Sequence, residues 1–204
     1  VGAVDYAGVL WETDNSASAV TSGTLVNSSV RVKNGYLYFK TGEQFKPGNA
    51  LIAAYDSNDK ILWSWHIWLC DFDSAKTAQR YQGASVDMMD RNLGALSSSY
   101  EGVSSYGLFY QWGRKDPFMG AASTDGTPMA STCVFDQIGS NSDCTVGFAV
   151  ANPTTFITCD VSTGNDWLYE SRQNDLWTDD KTIYDPCPAG WRVPKGGGAG
   201  VWNQ

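Results

Sequence analysis

Short runs of alternating hydrophobic and polar residues occupy the N-terminal part of the chain, and turn-forming residues separate them. Val9-Leu10-Trp11 opens the first predicted strand. Residues 29–33 and 36–39 alternate on either side of Asn34-Gly35. Asn-Gly between two such runs favours a type I′ turn, because both central positions of that turn need a positive φ. The pattern therefore predicts a β hairpin centred on Asn34-Gly35.

Two longer apolar runs come after the hairpin. Residues 51–55 predict a buried strand, residues 56–59 a turn, and residues 61–69 a second strand. Trp63 and Trp65 lie on a wholly apolar face of that second strand, whereas its other face is mixed. Strands that are apolar on one face and mixed on the other are typical of a sheet interior. We therefore expect residues 61–69 to form a central strand, with both tryptophans in the core.

The second half of the chain is rich in loops. Residues 106–113 place aromatic residues at helical spacing, which predicts a short amphipathic helix that ends before Asp116-Pro117. Residues 119–147 show no period and predict a long surface loop. Residues 154–158 favour a strand. Together these patterns predict an α+β, β-rich fold.

Composition removes several classes of function. The chain has 204 residues and a net charge of −8, and charged residues make up only 18% of it. Nucleic-acid binding normally needs clustered lysine and arginine, which we do not find, so we predict no nucleic-acid partner. No apolar run is long enough to span a membrane as a helix. We predict no catalytic residues, because His66 lacks a partner nucleophile and no glutamate pair stands out for glycoside cleavage.

Nine tryptophans are the most distinctive feature of the composition. Indole rings stack well on the apolar face of sugars, although most tryptophans serve the core. Trp167 and Trp177 lie in polar surroundings, beside Asp166 and Asp175, and are our candidate ligand-binding residues together with these two aspartates. Arg114 is a further candidate for an anionic ligand, with a structural ion pair as the alternative.

Acidic residues and cysteines indicate a function less clearly than the tryptophans do. Aspartates cluster in two regions, at Asp71, Asp73, Asp87 and Asp90 and again at Asp166, Asp175, Asp179 and Asp180. Neither cluster has the pattern of an EF-hand, and turns explain both, so we predict no metal or cofactor and leave calcium as the alternative. Cys133 and Cys144 flank a short polar loop and are the predicted disulfide among five cysteines.

Four blocks of residues together resemble a known family. In chain order they are Trp63 to Trp68, Met89 to Gly94, Gly107 to Phe118 and Tyr184 to Pro194. They resemble the C-terminal domain of fimbrillin-like surface lipoproteins of Bacteroidetes. They are also similar to the Fibrobacter succinogenes major paralogous domain, and hence to the C-type lectin-like fold.

The resemblance implies a C-type lectin-like domain over residues 59–204. A small antiparallel β region over residues 1–58 precedes it, and we expect this region to pack on the lectin-like domain rather than to fold separately. Family members continue past the Gly-Trp-Arg-Val-Pro block, so we expect the domain to be truncated at its C-terminus and Cys187 to be unpaired. Within such a domain most aromatic residues, Trp112 included, serve the core and the family signature.

The implied function is that of a secreted, non-catalytic adhesin at the outer-membrane or extracellular surface. Its expected partner is a glycan or a protein ligand. The alternatives are a structural subunit or tip protein of a pilus, whose partners are fimbrial subunits, and a glycoside hydrolase.

Overall fold

A computed structural model describes residues 3–18, 20–27, 29–83, 86–158, 166–169, 173–196 and 200–201. It is a mixed fold built mostly from short strands, with few helical residues. The strands are β1 (Tyr6–Thr13), β2 (Arg31–Lys33), β3 (Tyr36–Tyr38), β4 (Gly48–Tyr55), β5 (Ile61–Leu69), β6 (Asp136–Ile138) and β7 (Thr155–Ile157). The helices are α1 (Ser74–Thr77), α2 (Val146–Ala151) and two 3₁₀ turns at Val103–Ser105 and Asn141–Asp143.

The largest sheet is antiparallel, with the strand order β1-β4-β5. This confirms the strands predicted around Val9 and over residues 51–55 and 61–69. The prediction that residues 61–69 form a central strand is wrong, because β4 is central and no strand of the described residues pairs with the other side of β5. The alternation of apolar and polar residues indicates which faces of a strand are buried, and it does not indicate whether other strands pair with its two edges. On β5 loop residues cover one face, with Tyr184 against Trp63.

The predicted hairpin is confirmed. β2 and β3 pair in antiparallel register, and Asn34 and Gly35 have φ angles of 53° and 78°. These two positive angles are those that a type I′ turn requires. Val32 and Leu37 point from the hairpin into an apolar cluster built around β4.

The helix predicted over residues 106–113 does not form. Gly107 and Gly113 have φ angles of 75° and 84°, which a right-handed helix excludes. Phe109 instead pairs with Phe118 through two backbone hydrogen bonds of 3.0 and 2.8 Å. Trp112 lies in the turn between these two residues and is 53% accessible, so it is not the core residue that we predicted. Trp65 is 38% accessible on β5 and is likewise not fully buried.

Residues 119–147 are only partly the loop that we predicted. They contain β6 and the first residues of α2, and β6 pairs in parallel with β7. β7 confirms the strand predicted over residues 154–158. Parallel pairing joins segments that are distant in sequence, so local periodicity in residues 119–147 could not indicate it.

The disulfide predicted between Cys133 and Cys144 is wrong. Cys133 is a free thiol that packs against the cluster of Trp11, Leu51 and Leu108. Cys144 forms a disulfide with a partner outside the described residues and lies in a different cluster, beside Ile157. The short loop between the two cysteines therefore directs them into separate cores. Cys187 is a free thiol, as we predicted.

The N-terminal region is in direct contact with the rest of the chain. β4 and β5, on opposite sides of the predicted boundary at residue 58, are hydrogen-bonded neighbours. Trp11 packs with Leu108 and Met129 in one cluster. A helix able to cross a membrane is not found in the described part of the chain.

Candidate functional site

A cleft of about 1280 Å³ lies between residues 86–105 and residues 177–195. Both segments are loops, so long-range contacts rather than regular elements position them. The cleft is rich in aromatic side chains, namely Tyr81, Tyr100, Tyr110, Trp177 and Trp191. Tyr100 is 89% accessible and offers most of its ring to solvent.

Arg91 organises the first wall of the cleft. Its Nε and Nη2 donate to the two carboxylate oxygens of Asp90 at 2.9 and 3.0 Å, and its Nη1 donates to Asp71. Its guanidinium also lies 6.0 Å from the ring centre of Phe72. The Arg91 side chain is only 2% exposed, so these contacts fix it rather than leave it free for a ligand.

The same wall is tied to the main sheet by backbone oxygens. The Gly94 carbonyl accepts hydrogen bonds from the side-chain amides of Asn15 and Asn49, both at 2.8 Å. The next carbonyl, that of Ala95, accepts from Trp68 Nε1 at 3.0 Å. Gly94 has a φ of 79°, a conformation that glycine adopts without strain. The Asn-Leu-Gly part of the second sequence block is thus an anchor for the wall.

Asp185 organises the second wall. Its Oδ1 accepts from Lys181 Nζ at 2.8 Å and from the Cys187 backbone at 2.9 Å, and its Oδ2 accepts from the Val193 backbone at 2.9 Å. One buried carboxylate therefore closes the whole turn that carries Trp191. Burial alone would raise the pKa of Asp185. The hydrogen bonds from Lys181, Val193 and Cys187 stabilise the charged carboxylate and lower this pKa below its ordinary value.

Aromatic contacts join the two walls. Trp68 stacks on Phe72 with ring centres 5.8 Å apart, and Phe72 meets the edge of Trp191 at 6.0 Å. On the second wall Trp177 donates from Nε1 to the Tyr184 carbonyl at 2.9 Å and packs on Trp112 at 4.8 Å. These contacts set the separation of the walls and hold the indole of Trp177 in one orientation.

Tyr110 lines the cleft and continues into a buried polar chain. Its hydroxyl lies 3.2 Å from His66 Nδ1, and His66 Nε2 lies 2.8 Å from Asn49 Oδ1. Because Asn49 uses its amide as a donor, its Oδ1 accepts from His66 Nε2, which leaves Nδ1 to accept from Tyr110. His66 is therefore neutral, and burial lowers its pKa to about 4.

Charged side chains that line the cleft balance each other. Three acids and three bases line it, namely Asp87, Asp90, Asp179, Arg91, Arg192 and Lys195. Each acid also has a basic partner: Asp90 pairs with Arg91, Asp179 with Arg192 and Lys195, and Asp87 with Arg80. These bases lower the pKa of Asp87 and of Asp179. The lining is therefore electrically neutral although the chain as a whole has a charge of −8.

Only one of the residues predicted for ligand binding lines the cleft, and it is Trp177. Trp167 is 6% accessible, and its Nε1 donates to the Trp112 carbonyl at 2.6 Å, so its prediction as a surface residue is wrong. Asp166 accepts from the Leu168 backbone at 3.0 Å in a local turn. Asp175 is exposed and does not line the cleft.

Arg114 is buried and structural rather than available to an anionic ligand. Its Nη1 donates to Gln111 Oε1 at 2.7 Å and to the Thr155 carbonyl at 2.8 Å. Its guanidinium lies 5.0 Å from the ring centre of Phe118 and 5.7 Å from that of Trp167. The structural role that we gave as the alternative for Arg114 is correct. Its partners are backbone carbonyls and aromatic rings instead of the carboxylate of the expected ion pair.

The exposed tyrosines of the cleft were not among the residues predicted from the sequence. Tyr100 comes directly after Ser97-Ser98-Ser99, and an aromatic residue in such a polar run is a signal for surface exposure. Trp191 belongs to the fourth block of the family resemblance, but nothing in the sequence placed it opposite residues 86–105.

The cleft contains no group of side chains suited to metal binding in the part of the chain that the structure describes. No group of three or more histidine, cysteine, aspartate or glutamate side chains lies close enough to hold a metal ion there. Cys187 lines the cleft, but burial and the nearby Asp185 raise the pKa of its thiol to about 12. The thiol is therefore protonated near neutral pH and is a poor nucleophile.

No protein-family model, curated protein or solved structure matches this chain. Function is therefore inferred from the cleft itself and from the four sequence blocks.

Proposed function

We propose that this chain is a non-catalytic binding module of the cell surface, and that its aromatic cleft binds an uncharged glycan. The observation that carries the proposal is the combination of aromatic side chains with fully paired charges in one cleft of about 1280 Å³. Binding clefts of this kind are largely preformed, with aromatic walls and a few fixed polar groups.

A neutral ligand suits the electrostatics of the cleft. An anionic or cationic ligand would have to compete with the ion pairs of Asp90 and Asp179, and breaking such pairs leaves a charge without its partner. Sugar hydroxyls can instead hydrogen-bond to the edges of these pairs without disrupting them. The tyrosine and tryptophan rings supply the apolar surfaces on which sugar rings stack.

Binding is favoured over glycoside hydrolysis by the same ion pairs. A hydrolase needs one carboxylic acid that stays protonated and a second carboxylate that acts as base or nucleophile. All three carboxylates that line the cleft are paired with basic side chains. The basic partners hold the pKa of Asp87 and of Asp179 below the usual range, so neither suits the role of the protonated acid.

The resemblance to fimbrillin-like surface lipoproteins and to the C-type lectin-like fold is part of the proposal. The four blocks contact each other. Lys115 Nζ lies 4.5 Å from the ring centre of Trp63, and Trp63 lies 5.8 Å from Tyr184. The second block joins the third through a hydrogen bond of 2.9 Å from the Leu108 amide to the Leu93 carbonyl. Such contacts are what a conserved structural unit would need. An adhesin at the outer-membrane or extracellular surface is the setting that this resemblance supports.

The test is binding of the purified chain to an array of neutral and acidic glycans, followed by calorimetry with the best neutral glycan. Tyr100→Ala removes the most exposed ring of the cleft, and we expect affinity to fall about fivefold, since a lost aromatic contact costs about 1 kcal/mol. Tyr106→Ala is the matched control, because Tyr106 is 42% accessible in the same loop and does not line the cleft.

Equal affinities of the Tyr100→Ala and Tyr106→Ala variants would overturn the assignment of the cleft. Failure of all neutral glycans, with binding confined to a protein partner, would overturn the glycan assignment. Trp177→Ala is less suitable as a test, since it also removes the hydrogen bond to the Tyr184 carbonyl.

A second candidate function, that of a fimbrial subunit, is favoured by β5. This strand of nine residues lies at the edge of its sheet within the described chain, and Trp65 is exposed on it. Exposed edges accept strands from partner chains, and charges on an edge strand prevent this. If β5 mediates assembly, the chain self-associates in analytical ultracentrifugation, Trp65→Lys abolishes the association, and Trp65→Phe preserves it. A chain that stays monomeric at all concentrations would contradict this function.

A further inference from the structure

The hairpin formed by β2 and β3 has two chemically different faces. Side chains alternate between the faces of a strand, so Val32 and Leu37 share one face and pack into the core. The other face carries four exposed side chains. We call it the hairpin face, and it consists of Arg31, Lys33, Tyr36 and Tyr38.

Each tyrosine of the hairpin face lies opposite a basic residue. The register pairs Arg31 with Tyr38 and Lys33 with Tyr36. Tyr36 and Tyr38 are 69% and 44% accessible, so both rings are available to a partner. The Arg31 guanidinium lies 5.8 Å from the ring centre of Tyr38, which holds this charge on the face.

The positive charge of the hairpin face is not neutralised. Residues 29–47 contain four of the fourteen lysines and arginines and only one of the twenty-two acidic residues. Neither Arg31 nor Lys33 takes part in an ion pair within the described residues. An unpaired positive patch on an acidic chain attracts an anionic partner selectively, because the remaining surface repels it.

We propose that the hairpin face is a second ligand site, and that it binds a short acidic oligosaccharide built from uronic acids. Sugar rings would stack on Tyr36 and Tyr38, which are separated by about 7 Å along one strand. Carboxylates of the sugars would pair with Arg31 and Lys33, which flank those rings. The core-facing side chains and the type I′ turn hold the face in shape before the ligand arrives.

A uronic acid oligosaccharide fits this face better than a nucleic acid does. Nucleic acids are dense polyanions, and their binding depends on many phosphate contacts with lysine and arginine. The hairpin face offers two cations, and the acidic remainder of the chain would repel a long strand. A ligand of a few sugars fits within the face and brings one carboxylate for each ring.

The test is calorimetry of the whole chain with a hexamer of galacturonic acid and with the same hexamer after reduction of its carboxyl groups. We expect the acidic hexamer to bind with a salt-dependent affinity and the reduced hexamer to bind at least tenfold more weakly. Tyr36→Ala/Tyr38→Ala and Arg31→Gln/Lys33→Gln should each weaken binding of the acidic hexamer about tenfold. Lys60→Gln/Lys76→Gln is the matched control, since both lysines are exposed outside the hairpin, and it should keep the original affinity.

Equal binding of the acidic and reduced hexamers would overturn the proposal, as would full affinity in either hairpin variant. Tighter binding of an oligothymidine of equal charge would assign the face to nucleic acid instead. The hairpin face shares no residue with the cleft, so Tyr100→Ala should leave binding of the acidic hexamer unchanged. Failure of the cleft to bind neutral glycans therefore does not affect this test.

Discussion

At the scale of the residue, His66 shows how burial and hydrogen bonding select one protonation state. Its Nε2 donates to Asn49 Oδ1 at 2.8 Å, and its Nδ1 accepts from Tyr110 at 3.2 Å. Protonation of Nδ1 would turn this acceptor into a donor, so the Tyr110 hydroxyl would have to accept instead, and it would place a charge in a buried site. The sequence could not name these partners, which come from other segments of the chain.

His66 makes the stability of the chain depend on pH. The folded pKa is about 4 and the ordinary value is 6.5, so below pH 6.5 the unfolded chain binds a proton that the folded chain does not. We expect the free energy of unfolding to fall by about 3 kcal/mol as the pH drops from 6.5 to 4. Urea denaturation at pH 7, 5.5 and 4.5 measures this loss.

The control for this prediction is His66→Gln, which cannot titrate. His66 is the only histidine in the chain, so the variant removes the whole imidazole contribution. Its stability should be lower at pH 7 and should change less between pH 6.5 and 4.5. Identical slopes for the variant and the original chain would show that His66 is not the group responsible.

Cys187 should resist alkylation in the folded chain. Burial and Asp185 raise its pKa to about 12, so its thiolate population near pH 8 is about a thousandfold smaller than that of a thiol with a pKa of 9. Iodoacetamide labelling followed by peptide mass spectrometry should show very slow modification without urea and rapid modification in urea. Rapid labelling of folded Cys187 would contradict the burial of this thiol.

At the scale of the element, Arg114 joins segments that have little regular structure of their own. Its guanidinium donates to the Thr155 carbonyl in β7 and to the Ala149 carbonyl in α2, at 2.8 and 3.4 Å. It also donates to the Asn152 carbonyl at 3.3 Å, between these two elements. A planar group with several donors suits this role, whereas a lysine ammonium does not have the required geometry.

Arg114→Lys should destabilise the chain by about 2–4 kcal/mol. The carbonyls of α2 and β7 would lose the charged guanidinium donor, and the buried lysine ammonium that replaces it could not reach all of these acceptors. Thermal denaturation followed by circular dichroism measures the effect. Arg31→Lys is the matched control, since Arg31 is exposed, and it should change the melting temperature little. Equal effects of the two substitutions would contradict the role of Arg114.

Local pattern predicted some elements and failed for others, for physical reasons. The hairpin at Asn34-Gly35 and strand β5 depend on neighbouring residues, so alternation and turn chemistry were sufficient to predict them. The helix at residues 106–113 failed because Gly107 and Gly113 adopt positive φ angles, and Phe109 pairs with Phe118 instead. Helical spacing of apolar residues is necessary for an amphipathic helix but does not guarantee it.

At the scale of the whole molecule, the candidate site is the part that sequence could indicate least. Tyr100, Trp177 and Trp191 line the same cleft, although Tyr100 is far from the two tryptophans in the chain. Single buried groups, above all Asp185, hold the walls in place through backbone hydrogen bonds. Trp167 was misplaced for the same reason, since its hydrogen bond to the Trp112 carbonyl links two distant loops. Residue composition indicated aromatic binding surfaces, and only tertiary contacts determine which rings form them.

The N-terminal region should be required for the rest of the chain to fold. A fragment of residues 59–204 lacks β1 and β4, so β5 loses the strand with which it pairs. The fragment also loses Trp11 from the cluster around Leu108, and the hydrogen bonds of Asn15 and Asn49 to the Gly94 carbonyl. Burial of a tryptophan alone contributes several kcal/mol, which is a large share of the stability of a domain. We therefore expect the fragment to show no cooperative unfolding transition in urea.

Adding residues 1–58 as a separate peptide is the control for this prediction. If the missing strands are the cause, the peptide should restore a cooperative transition and the near-ultraviolet circular dichroism of packed tryptophans. A fragment of residues 59–204 that unfolds cooperatively at the same urea concentration as the whole chain would instead show an independent domain. In that case the shared sheet would be an interface between two folded units, and the hairpin face and the cleft would belong to separate modules.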